Sequence, residues 1–115
     1  MENNEYFFEE GCFIIEMHNS ISDPAVSVAR ARVRPGETTH WHHLDGIRER
    51  YLVLEGTGTA EIGDEPATVV TPGDTVQIPP GIRQRITNTG KADLIFLAVC
   101  TPRFVPEAYV DLESS

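Results

Sequence analysis

The chain has 115 residues, 40% of them hydrophobic, and a formal net charge of −9 at pH 7. That length bounds it to one domain, spanning 1–115, with one modest core, and the acidic balance argues against nucleic acid or an anionic membrane as a partner. No run approaches the roughly 18 apolar residues of a membrane span. The opening MENNEYFFEE has neither the basic leader nor the apolar run of a secretory signal. Two cysteines, Cys12 and Cys100, make no disulfide framework and predict a reducing, cytoplasmic setting.

In chain order, eight prolines and nine glycines punctuate runs of four to eight β-favouring residues. That spacing predicts an all-β sandwich or barrel. Strands are expected over 11–18, 25–34, 38–43, 49–55, 58–62, 67–70, 75–78, 83–88 and 93–100. The last contains LIFLAVC, apolar on both faces, and is expected to be buried on both. The tail, 101–115, carries two prolines and isolated aromatics, which predicts an extended or short helical arm over the barrel with only its final residues dispensable. Arg30, Arg32, Arg34, Arg48, Arg50 and Arg103 alternate with other residues, as expected of surface ion pairs with the abundant carboxylates rather than an anion site.

The chemistry concentrates in GETTHWHHLDGIRERYLVLEG, which holds three of the four histidines. Strand alternation puts His40, His42 and Leu44 on one face and Trp41 and His43 on the other. Asp45-Gly46 favours a two-residue type I′ hairpin. Such a turn sets His42 opposite Glu49, about 5 Å apart at Cβ, with His40 beside them and Tyr51 across from His40. Two imidazoles and a carboxylate on adjacent strands suit a divalent metal. A hydrogen-bonded structural network produces the same cluster, and the spacing alone does not choose between them. His18 and His43 are expected to face elsewhere.

The same residues resemble the first motif of the cupins: a Gly, five residues, His-X-His, three or four residues, Glu, six residues, Gly. Measured from Gly36, the first His position falls on His42, the Glu on Glu49 and the closing Gly on Gly56. The second His position falls on Leu44. An alternative registration takes His40 and His42 as the pair and lengthens the following loop by two residues. Downstream, GDTVQIPPGIRQRITN resembles the second motif, with Gly73, Pro79, Gly81 and Asn88 in place and Gln84 where a His is usual. Gln84 offers a neutral oxygen ligand weaker than imidazole, or simply a hydrogen bond to Glu49 or a pocket water.

The resemblance implies a double-stranded β-helix, or jelly-roll barrel, over about 25–100, an outer strand at 11–18 and a pocket between the two motifs. Iron, manganese, zinc or nickel would be held by His40, His42, Glu49 and Gln84, with an oxygenase, isomerase or lyase reaction on a small molecule. Two alternatives stay open: a small-ligand-binding or structural module without turnover, and a metal-free enzyme like the cupin-type sugar epimerases, with His42 as base and Tyr51 as acid. Arg48, Arg50, Arg83 and Arg85 have the wrong strand parity for a phosphate clamp. Cupins commonly dimerise through their sheets. Exposed Leu52 and Leu54, with the apolar run YFFEEGCFIIEM, therefore predict a homodimer, unless the C-terminal arm covers those leucines.

Overall fold

The computed structural model of the protein describes residues 4–113, so the first three residues of the acidic opening and the last two of the expected arm lie outside it. Within it the first strands are β1 Tyr6–Phe8, β2 Cys12–His18, β3 Ser27–Val33, β4 His42–Leu44, β5 Arg48–Glu55 and β6 Gly58–Ile62. They are followed by β7 Thr68–Val70, β8 Thr75–Ile78, β9 Gln84–Asn88 and β10 Leu94–Thr101, then a 3-10 turn at Pro106–Ala108 and β11 Tyr109–Asp111. A six-stranded sheet runs β1-β2-β3-β10-β5-β8 and a five-stranded sheet runs β11-β4-β9-β6-β7, with every pairing antiparallel. The all-β jelly roll expected from the sequence is the fold observed.

Alternation builds the walls. Along β9, Gln84, Ile86 and Asn88 are buried while Arg85 and Thr87 lie on the outer side. Along β3, Ser27, Ala31 and Val33 are buried, and Arg32 reaches outward to Glu5 at 2.8 Å and Asp93 at 3.2 Å. Arg85 likewise meets Glu61 at 2.8 Å and Arg83 meets Asp64 at 3.2 Å, so these arginines serve as surface ion pairs. In β10, Leu94, Ile95 and Phe96 are buried in succession, because the strand lies between β3 and β5 at the sheet centre. Burial on both faces ends there, and the residues from Leu97 to Val99 are half-buried.

The inner faces close on one core. Val33, Tyr51, Val53, Ile78, Leu94 and Phe96 come from the six-stranded sheet, and Ala60, Val70 and Ile86 from the other. Burying a side chain such as Phe96 contributes about 2–3 kcal/mol. A smaller cluster of Leu44, Ile47, Cys100 and Ala108, with Phe104, Val105 and Tyr109, pins the C-terminal arm beside the barrel.

The Asp45-Gly46 segment departs from expectation. It makes no hairpin: β4 pairs with β9 and β11, whereas β5 pairs with β8 and β10 in the opposite sheet. A jelly roll sends consecutive strands to facing sheets, and the Asp45 N–H is used instead by the Ala108 carbonyl at 2.8 Å. The arm does not cover Leu52 and Leu54, which stay 36% and 45% exposed. It forms β11 against β4, a strand that its prolines and isolated aromatics had hidden.

Candidate functional site

The two sheets meet chemically where β4, β5 and β9 come together. His42 lies opposite Gln84 in the five-stranded sheet, while Glu49 lies between Ile78 and Cys100 in the other. The Gly81 N–H, in the Pro79-Pro80-Gly81 corner, binds the Leu44 carbonyl at 2.9 Å and ties the corner to β4. Gly81 takes φ +76°, a conformation that glycine adopts without a Cβ penalty. Gln84 then bridges the gap: its amide nitrogen donates to Glu49 Oε1 at 2.9 Å, and its oxygen accepts the Tyr51 hydroxyl at 2.5 Å. His42, Glu49, Gln84 and Tyr51 are all at least nine-tenths buried.

His42 is oriented by its own backbone neighbourhood. Its Nδ1 lies 2.6 Å from the His40 carbonyl, which only accepts, so Nδ1 carries the proton and Nε2 presents a lone pair. The Tyr109 ring stacks on the imidazole at a centroid distance of 5.3 Å. Burial lowers the His42 pKa and keeps the ring neutral. Nε2 points toward a carboxyl that no motif had signalled: Glu10 Oε2, 3.7 Å away. Glu10 sits in the β1–β2 turn, and the sign available in the sequence was an acidic pair inside the apolar run YFFEEGCFII.

Glu10 and Glu49 line one cavity of about 60 Å3 at the barrel mouth. Its walls come from residues of β1, β2, β3, β5 and β10, with Phe104 from the arm. Burial raises the pKa of both carboxyls to about 7. On Glu49 the Glu10 carboxylate adds to that rise, opposed by His42, the Gln84 amide and the Cys100 thiol. On Glu10 the Cys12 thiol and His40 oppose it. Burial also pushes the Cys12 and Cys100 thiols and the Tyr51 hydroxyl well up, so all three stay protonated. Both cysteines are free and buried.

The expected ligand set does not assemble. The structure brings His42, Glu49 and Gln84 together, with Tyr51, but His40 turns away to Asp111 at 3.2 Å with 41% of its side chain exposed. Residues 40 and 41 precede the paired part of β4, so alternation does not carry His40 onto the His42 face. Gln84 has its oxygen engaged by Tyr51 and its amino group toward Glu49, the reverse of what a metal needs. Among the described residues no three His, Cys, Asp or Glu side chains are placed to hold an ion. His40, His42, Glu49 and Gln84 therefore do not fit an iron, manganese, zinc or nickel centre.

The family model described as a cupin domain matches residues 29–100. The chain belongs to the cupin family. This cupin is 32% identical over 104 residues to the uncharacterized protein MJ1618 of Methanocaldococcus jannaschii, covering 89% of this chain and 82% of that one. Among solved structures it resembles Pac13 of Streptomyces, described as a nucleoside dehydratase. The TM-score is 0.79 at 17% identity, over 96% of this chain and 85% of Pac13. It also resembles a predicted oxalate decarboxylase from Thermotoga maritima, with a TM-score of 0.75 at 24% identity, over 87% of this cupin and 91% of that chain. At these identities the two structures speak for the fold alone. No helix among the described residues is long and apolar enough to cross a membrane.

Proposed function

We propose that this cupin binds a small organic molecule in the mouth cavity and acts on it by metal-independent proton transfer, as a lyase or isomerase. The observation that carries the reading is a pair of carboxyls, buried Glu49 and largely buried Glu10, lining one cavity. With both pKa values raised to about 7, the two carboxyls can take up and give up protons near neutrality, as an acid–base pair needs. The ionised carboxylate takes a proton from a C–H bond activated by a neighbouring group. The protonated one gives its proton to the departing hydroxyl, and a C=C bond and water result. His42 Nε2 stands behind Glu10 to pass or receive its proton, and the Tyr51–Gln84 pair fixes Glu49. A cupin-fold protein described as a nucleoside dehydratase, solved with uridine, supports the idea that this scaffold hosts such chemistry.

The test is turnover of β-hydroxy carbonyl compounds and nucleosides in D2O with EDTA, followed by 1H NMR. The reading expects loss of a C–H signal or a new alkene signal with at least one class, reduced about 100-fold or more in Glu49→Gln. Turnover that appears only after adding iron, manganese, zinc or nickel would contradict it. A second copy packed on the β5–β10 face, covering Leu52 and Leu54, belongs to the same reading. Light scattering that finds a monomer at micromolar concentration removes that part.

A further inference from the structure

Proton transfer makes no demand on the charge of the ligand, yet the cavity is chemically one-sided. Its walls are aromatic: the rings of Tyr51 and Phe96 lie 4.4 Å apart, and those of Phe8 and Phe104 lie 6.3 Å apart. Its charged groups are Glu10, Glu16 and Glu49, and among the described residues no lysine, arginine or histidine lines it. Arg32, Arg83 and Arg85 spend their charge outside the barrel on Glu5, Asp64 and Glu61. A buried carboxylate costs several kcal/mol unless a positive charge or full hydrogen bonding offsets it. Glu49, 8% exposed, receives only one amide N–H and a thiol at 3.8 Å. Behind Phe8, outside the cavity lining, the buried Tyr109 hydroxyl has no hydrogen-bond partner among the described residues, its ring 5.0 Å from Phe8.

We propose that the cavity takes a small organic cation, an alkylammonium group whose charge meets Glu10 and Glu49 while its carbon skeleton lies among Phe8, Tyr51, Phe96 and Phe104. Aromatic faces attract ammonium groups through the ring quadrupole, and carboxylates add direct charge pairing, so both sets of walls favour the same ligand. At about 10–15 Å3 for each water-sized position, a 60 Å3 cavity holds an occupant of roughly five non-hydrogen atoms. The net charge of −9 draws cations toward the mouth. This assignment rests on the reading of the cavity as a small-molecule site.

The experiment compares three compounds of five non-hydrogen atoms, n-butylammonium, n-butanol and propionate, against the full-length wild-type protein. Binding is followed by NMR at the methyl groups of Ala29, Ala31 and Ala98, which line the cavity. The cation is expected to shift these methyls with at least tenfold higher affinity than the alcohol, and propionate not to bind. Glu10→Gln and Glu49→Gln should each narrow the gap between cation and alcohol; the wild-type series decides the matter if either variant fails to fold. Butanol binding as tightly as butylammonium, or a preference for propionate, overturns the cation and leaves the proton-transfer reading standing. Methyl signals unmoved by all three compounds, or shifts confined to the outer surface, overturn both.

Discussion

β9 carries a buried side-chain amide at each end, and the two are used differently. Asn88, 1% exposed, binds backbone only: it donates to the Val33 and Ala92 carbonyls at 2.9 and 2.8 Å and accepts the Gly90 N–H at 2.8 Å. Gln84, equally buried, binds only side chains, Tyr51 and Glu49 of the opposite sheet. Asn88 fastens loops whose polar groups have no other use. Gln84 holds a carboxyl whose burial is costly and whose position matters. One strand thus joins a structural end to a chemical end, and substitutions at the two should differ in sign as well as size.

The largest expected effect is at the structural end. Asn88→Ala leaves the buried Val33 carbonyl, and the part-buried Ala92 carbonyl and Gly90 N–H, without their partner, a loss of about 3 kcal/mol measurable by urea unfolding. Any protein that still folds should keep its cavity chemistry. At the chemical end, Glu49→Gln is expected to stabilise the protein at pH 8 by roughly 2–3 kcal/mol while cutting turnover about 100-fold or more.

The sign follows from the shifts. The Glu49 and Glu10 pKa values rise from 4.5 to about 7 on folding. The native state therefore binds more protons than the unfolded chain between those values. The favourable contribution is complete below about pH 4.5 and is lost as pH rises through 7. His42 works the other way, its lowered pKa favouring the fold above its ordinary 6.5. Between pH 6.5 and 8 the carboxyls dominate. The melting temperature of the wild type should fall across that window, and that of Glu49→Gln should fall less.

Smaller effects sharpen the contrast. Tyr51→Phe strips the Gln84 oxygen of its donor at a cost of about 1–2 kcal/mol. It should slow turnover while leaving ligand affinity nearly intact, because Glu49 is then held less firmly. His40→Ala breaks a half-exposed pair with Asp111 and removes one small influence that lowers the Glu10 pKa. It should change stability by less than about 0.5 kcal/mol and leave turnover unchanged.

Much of the frame was legible in the sequence because turn chemistry is local. Gly56 and Gly81 take φ +87° and +76° where the motif spacing put glycine. A Cβ on Gly56 would meet the Asp93 carbonyl oxygen at 2.7 Å, so nothing larger fits there. The burial of His42, Glu49 and Gln84 followed from strand parity. What parity could not supply was the path between strands. Asp45-Gly46 favours a hairpin by itself, but facing sheets claimed its two flanks, and His42 and Glu49 approach across the barrel instead. His40 was misplaced for a related reason: alternation holds only while a strand is paired. Glu10 and Tyr109 come from a turn and a tail, segments with no periodicity to read, and their importance arises from tertiary packing alone.

The central claim is that burial holds Glu10 and Glu49 at pKa values near 7, His40 and His42 opposing only part of that rise. It is tested most directly by a 13C NMR titration of glutamate-labelled protein, following the side-chain carboxyl carbons from pH 4 to 9. Two resonances with midpoints near 7, one of them absent from Glu49→Gln, are the expected result. With the protein first dialysed free of small molecules and metal ions, a spectrum in which every glutamate titrates below pH 5 would contradict the claim.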